Sequence, residues 1–379
     1  MPTIARTDTS LFGQWWWTVD RWALTLVVAL IGIGAILVAA ASPPVAARIN
    51  LDEFHFVQRH LVYTILASGV LVGTSLLGPT GIRRLALSVL IVGLIMLVLT
   101  PIVGAEIKGA RRWIQLPGIS FQPSEFVKPA FIVIAAWLFT LGKVHPRFPG
   151  AAASTALFLT ILGLLVLQPD MGMAVVVTAV WGIQFFLAGL PMPAVLVLGA
   201  IAAGGMISAY YLLPHVASRV DRFLDPSSGD SYQIGRSLEA FTNGGIFGAG
   251  PGEGRVKTTL PDAHADFIFA VAGEEFGLIW CLILLSLFAV LVVRGFVRLA
   301  SENSLFIILA TSGLLVQFGL QSLINMGSSL HLIPTKGMTL PLISYGGSSM
   351  VAVTFGLGMV LGLTRRRPGQ DSGWTGGMP

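Results

Sequence analysis

The stretch KTTLPDAHADFIFAVAGEEFG, residues 257–277, decides how this sequence folds. A loop bearing Asp262, His264 and Asp266 runs straight into FIFAV, and an apolar run continues to Val293. Roughly 20 apolar residues cross a bilayer as a helix, so 266–293 reads as a membrane span. A carboxylate at the centre of such a helix costs about 2.5–3.5 kcal/mol. Yet Asp262, Asp266, Glu274 and Glu275 lie at and below one membrane surface. That grouping calls for chemistry or for a buried polar lock.

The rest of the chain agrees with a membrane reading. Of its 379 residues, 54% are apolar and 11% charged, against about 25% charged in a soluble domain. Apolar runs predict ten spans, at about 22–41, 60–78, 84–104, 126–142, 151–168, 171–190, 192–213, 266–293, 304–326 and 344–364. The expected fold is all-α, a polytopic integral membrane protein with about ten transmembrane helices and one large extracytoplasmic loop at about 214–265. The expected division is an N-terminal cytoplasmic segment 1–21, a membrane domain 22–364 and a tail 365–379. The first dozen residues and the tail read as disordered. The first apolar run is too long for a signal-peptide core and reads as an uncleaved span. The single Cys281 excludes a disulfide within the chain. WWW at 15–17 fits an aromatic belt.

Basic residues divide almost evenly between the two faces, but long loops translocate largely regardless of charge. The short basic connections GIRRL, GKVHPRF and RGFVR lie on the side of the termini, which is therefore read as cytoplasmic. The outer face is then unusually basic. It carries Lys108, Arg111 and Arg112 in KGARRW, and Arg219, Arg222, Arg236, Arg255 and Lys257 in the large loop. Guanidinium forks suit phosphate. The competing reading is pairing with Asp221, Asp225, Asp230 and Glu239 of the same loop.

Five islands interrupt the lipid-like sequence. In 108–128, Glu125 and Lys128 are spaced to pair on one helix face, and Pro123 suits a helix start. In QPDMG, 168–172, Asp170 reads as a ligand-facing acid or a plain N-cap. In 232–267, a short amphipathic helix precedes NGGIFGAGPGEG, whose glycines permit tight bends or close approach to a ligand. In 304–326, Gln317, Gln321 and Asn325 form one stripe, either glue between helices or the wall of a wet cavity. In 331–350, Pro, Gly and hydroxyl residues break the helical pattern, which membranes tolerate where protein or water covers the backbone. No dinucleotide fingerprint, no zinc-spaced His/Cys cluster and nothing pointing to a nucleic acid appears.

Asp262 and Asp266 share a face if the helix starts early. Asp266 sits where loop meets membrane, a setting that suits a general base. Glu274 reads as structural, pairing with an Arg, a Lys or the polar stripe. The residues alone leave open which aspartate acts, and whether the outward acidic–basic site belongs to an enzyme or a transporter.

LPDAHADFIFAVAGEEFG resembles the LPE-x-HTDFIFA-x-x-GEE signature of the shape, elongation, division and sporulation (SEDS) family. KGARRWI, FQPSEFVK, QPDMG and PTKGMTLPLISYGGSSM resemble further family blocks in family order, so the likeness spans about 40–364. The last block is more similar to the cell-division branch than to the elongation branch. The resemblance implies a peptidoglycan glycosyltransferase that polymerises lipid II and releases undecaprenyl pyrophosphate at the outer face of the bacterial cytoplasmic membrane, at the septum. It implies Asp266 as the catalytic base. Lys108, Arg111, Arg112, Lys128 and Lys336 become candidates for the diphosphates, and Trp113 for sugar or lipid. Glu125, Asp170, Asp262, His264 and Ser344 complete the candidate substrate-contacting set. Ala265 stands where the family usually has Thr, and Asp262 where Glu is common. Expected partners are a class B penicillin-binding transpeptidase, divisome regulators and membrane lipid. No cofactor is implied, and a divalent cation stays open. An elongation polymerase, a lipid II transporter and a non-catalytic scaffold are the alternatives.

Overall fold

The structure is a computed structural model that describes residues 10–107, 110–116, 119–225, 232–334 and 337–365. The chain runs α1 (Leu11–Thr18), α2 (Arg21–Arg48), α3 (His55–Leu76), α4 (Pro79–Val103), β1 (Ala105–Ile107), β2 (Ala110–Leu116), β3 (Ile119–Phe121), α5 (Pro123–Val144), α6 (Gly150–Leu167), α7 (Met171–Leu187), α8 (Met192–Leu212), α9 (Pro214–Leu224), α10 (Tyr232–Gly244), α11 (Ile268–Leu299), α12 (Leu305–Ser329) and α13 (Gly347–Leu363). Eight of these helices are long and apolar enough to cross a membrane, and α7 and α13 are shorter apolar helices. Together they occupy the ten expected spans.

Three local expectations change. Leu11 and Phe12 belong to α1, whose N-cap Ser10 accepts from Gly13 N. The predicted disorder of 1–9 and 366–379 falls outside the described residues. The all-α expectation gains an exception: β1, β2 and β3, which take in residues 110–113 of KGARRW, form a small antiparallel sheet pairing Ala105 with Trp113 and Ile114 with Phe121. Trp15 is no belt residue, because its indole is buried and donates to Ser75 Oγ at 2.8 Å. Trp16 and Trp17 remain exposed.

In lipid, helices associate through close packing and hydrogen bonds rather than by expelling water. At the crossing of α13 and α3, a Cβ on Gly358 would collide with Thr74 Oγ1, so only glycine permits this approach. α13 is almost wholly buried and α5 and α12 are mostly buried, so these three form the bundle's centre. By contrast, α8 has no buried residue.

The helix opened by the deciding stretch is broken. Gly277 has φ 78° and ψ −175°, a region open essentially to glycine alone. The break deprives four backbone groups of helical partners. The glycine-rich segment after α10 supplies them: Ala249 N and Gly250 N donate to the carbonyls of Glu274 and Glu275 at 2.9 and 3.0 Å, and Leu278 N and Ile279 N donate to the carbonyls of Gly245 and Ile246 at 2.9 and 3.3 Å. The glycines of NGGIFGAG therefore let this strap approach the chain's own helix. The two glutamates fix the strap's far end. Glu274 Oε1 accepts from Arg255 N and Val256 N, both at 2.7 Å, and from Asn243 Nδ2 at 3.1 Å, while Oε2 accepts from Lys257 N at 3.0 Å. Glu275 pairs with Lys257 Nζ. The expectation that Glu274 pairs with a basic side chain or the polar stripe thus gives way to a cage of backbone amides.

Candidate active site at one end of the bundle

Two clusters of candidate residues meet on one loop. The first lies at the start of α5. Lys128 Nζ is 2.9 Å from Glu125 Oε2, and both side chains are buried. Beside them Asp170 caps α7 through Met173 N and accepts from Gln122 Nε2 at 3.3 Å. Arg112 reaches across from β2 to within 3.9 Å of Asp170 and donates to the carbonyls of Gln168 and Pro169. Asp170 is therefore a cap and part of the charged cluster. Burial raises its pKa, and Arg112 opposes the rise. Arg219 on α9 feels the same pair; burial and the like charge of Arg112 lower its pKa.

The second cluster is the turn 261–267. α11 begins only at Ile268, so the helical phasing expected of Asp262 and Asp266 does not apply. Asp262 sits in left-handed backbone with φ 52°, and its carbonyl accepts from Ala265 N and Phe267 N. Ser344 Oγ donates to Ala265 O at 2.6 Å, and Tyr345 N donates to His264 O at 2.9 Å. His264 is buried against Phe56 and Tyr345, with ring centroids 4.5 and 5.1 Å away. Arg48, from the end of α2, holds the carbonyls of Leu260 and Thr259.

The stripe on α12 joins the clusters. Lys128 Nζ donates to Gln321 Oε1 at 3.3 Å, and Gln321 Nε2 donates to Thr339 O at 3.5 Å. One turn on, Asn325 Nδ2 donates to Asp266 O at 2.9 Å and to Met338 O at 2.6 Å. A Cβ on Gly337 would lie 3.5 Å from Asp266 Oδ2. The loop 337–345 therefore lies against the Asp266 carboxylate, and the buried Glu125–Lys128 pair is linked to it through Gln321.

The remaining candidates are more dispersed. Arg111 is half exposed and pairs with Glu106 at 3.5 Å. Trp113 lies in β2 opposite Ala105. Lys108 and Lys336 fall outside the described residues. In the large loop, Arg236 pairs with Glu239 at 2.6 Å, as the local-pairing reading expects, while Asp221 accepts from Tyr210. Asp230 is not among the described residues. Among the described residues no three of His, Cys, Asp or Glu gather as metal ligands. The sequence reading missed Arg48, Phe56 and Tyr345. None sits in a periodic pattern, and only the fold brings them to the turn.

A family model described as "Cell cycle protein", covering the FtsW, RodA and SpoVE proteins, matches residues 21–368. The chain belongs to this family. Among its FtsW/RodA/SpoVE relatives, the probable peptidoglycan glycosyltransferase FtsW of Caulobacter vibrioides (strain NA1000 / CB15N) is 45% identical, over 96% of this chain and 94% of the relative. The probable peptidoglycan glycosyltransferase FtsW of Coxiella burnetii (strain RSA 493 / Nine Mile phase I) is 37% identical, over 91% and 96%. Two solved structures share the fold. A chain from a peptidoglycan synthase complex, described as coordinating polymerization and crosslinking, aligns with TM-score 0.76 and 31% identity over 91% of this chain and 97% of that one. The rod shape determining protein RodA of Thermus thermophilus aligns with TM-score 0.68 and 29% identity over 92% and 97%.

Two expectations follow from the geometry. Lys128→Met strands the Glu125 carboxylate inside the bundle, and leaving one buried charge unpaired costs about 3–5 kcal/mol. The thermal unfolding midpoint falls accordingly, and Lys128→Met with Glu125→Leu recovers most of the loss. Burial pulls His264 from its usual 6.5 down to about 4. The folded state therefore binds fewer protons than the unfolded state between those values. Stability is full above pH 6.5 and is lost as pH falls toward 4. His264→Phe keeps a ring in the stack and flattens the unfolding midpoint across that window; an unchanged slope refutes the assignment.

Proposed function

We propose that this chain polymerises lipid II at the outer face of the bacterial cytoplasmic membrane, at the division septum. It is a peptidoglycan glycosyltransferase of the cell-division type. The convergence of the Asp266 turn and the buried Glu125–Lys128 pair on the loop 337–345, through Gln321 and Asn325, carries this reading.

The chemistry needs one base and a cationic cradle. An acceptor sugar hydroxyl attacks the anomeric carbon of the donor, and a new C–O bond forms there. The bond from that carbon to the diphosphate oxygen breaks, and undecaprenyl pyrophosphate leaves with the electron pair. Asp266 accepts the hydroxyl proton. No acid is required, because the diphosphate leaves as an anion. Direct displacement inverts an α-linked donor into a β-linked glycan. Arg111, Arg112, Lys108, Lys128 and Lys336 are the cations proposed for the diphosphates. Glu125 and Asp170 hold Lys128 and Arg112, while Asp262, His264 and Ser344 shape the turn.

A class B penicillin-binding transpeptidase is the proposed partner, consistent with the kinship to a synthase complex that coordinates polymerization and crosslinking. The termini are assigned to the cytoplasm, where Asp20, Arg294 and Arg298 meet. The test supplies the purified protein and its transpeptidase with labelled lipid II and no nucleotide. Glycan ladders support the polymerase. Lipid II crossing proteoliposomes without polymer supports a transporter instead, and neither activity points to a scaffold.

A further inference from the structure

We infer that the strap 245–250 is a membrane-inserted hairpin whose tip, Ile246 and Phe247, sits among the acyl chains of the outer leaflet. The occupant of this apolar surface is phospholipid.

Three observations converge. First, Phe247 is 81% exposed and Ile246 58% exposed, although both sit between glycines in a segment tightly hydrogen-bonded to α11. No charged side chain occurs from 240 to 252. Second, the backbone bonds from Leu278 N and Ile279 N to Gly245 O and Ile246 O fix the tip's level on α11. There it continues a surface already turned toward lipid: Leu278, Ile279, Trp280 and Leu282 are exposed on the same span.

Third, the level falls at the membrane boundary. From Gly277 to Arg294 the helix rises by about 25 Å at 1.5 Å per residue. The hydrocarbon core is about 30 Å thick. Arg294 pairs with Asp20 at the inner end, so Gly277 and the strap lie at the outer edge of the hydrocarbon. Trp280, 41% exposed one turn inside, occupies the depth where indoles collect. With four of its backbone groups bonded to α11, the strap enters this layer at a much reduced share of the cost that excludes irregular chain from lipid. The large outer loop is then anchored to the bilayer directly after α10, ahead of the Asp266 turn.

The single cysteine makes the test direct. In the full-length chain Cys281 is changed to Ala, and Phe247→Cys carries an environment-sensitive fluorophore. Leu282→Cys serves as the lipid-facing reference and Glu239→Cys as the aqueous one. The proteins are placed in phosphatidylethanolamine–phosphatidylglycerol nanodiscs, with and without brominated acyl chains. The expected result is blue-shifted emission at 247, quenching by brominated lipid as strong as at 282, and protection from aqueous iodide. Red-shifted emission with iodide quenching like that at 239 overturns the proposal. So does protection that appears only when the transpeptidase is added, because the occupant is then protein. If Phe247→Cys fails to fold, Ile246→Cys decides by the same readings.

Discussion

Asp266→Asn cuts glycan synthesis from lipid II by about 10²–10⁴-fold, the usual contribution of a positioned general base. Folding is expected to survive, because the asparagine keeps the shape, and the grip of Asn325 falls on the backbone carbonyl of residue 266 rather than on its carboxylate. Unfolding midpoints and transpeptidase co-purification should match the wild type. Asp262→Asn is the informative contrast. Asp262 adopts φ 52°, a conformation asparagine tolerates well, and its carbonyl makes the bonds that define the turn. The Asp262 variant therefore retains most activity. Full activity in Asp266→Asn refutes the base assignment, and equal losses in both variants show that the turn's charge matters more than one proton acceptor.

Glu274→Ala produces a large stability loss. The wild-type carboxylate accepts three backbone amides and the Asn243 side chain, and it is fully buried. A buried donor left unsatisfied costs about 1–3 kcal/mol, so stranding this set costs at least about 3 kcal/mol. Glu274→Gln keeps the shape but points an amide N–H at one of those donors and recovers only part of the loss. Thermal unfolding of the purified variants, with limited proteolysis across 245–257, reads both outcomes. A wild-type midpoint in Glu274→Ala means that the amides find other partners and that the glutamate is not the lock.

The ten helices were legible because lipid demands long uninterrupted apolar runs, and those runs leave a direct mark in the sequence. The Gln317–Gln321–Asn325 stripe was legible for the converse reason, since polar side chains inside such a run must face protein or water. What they hold was not legible. Asn325 meets Asp266 and Met338 only because three separate segments converge. The break at Gly277 escaped notice because a lone glycine in an apolar run reads as an ordinary helical residue, and its partners lie about 30 residues upstream. The sheet of β1, β2 and β3 escaped because two of its strands are only three residues long, too short to show alternation. Arg112 was legible as a phosphate candidate, but its contacts to two carbonyls and Asp170, which hold its guanidinium in place, were not.

The ion-pair cluster around Asp20 bears on biogenesis. Asp20 is bound by Arg294 and Arg298, and Thr18 receives a hydrogen bond from Arg365, 347 residues later. A ribosome thus delivers Asp20 to the membrane long before its partners exist. Until the eighth span arrives, that carboxylate lacks its native counter-ions, and the first helices form an open half-shell. A product stopped before Arg294 would keep this acidic flag permanently, giving insertases and membrane proteases a chemical mark by which to tell an abandoned chain from a finished one.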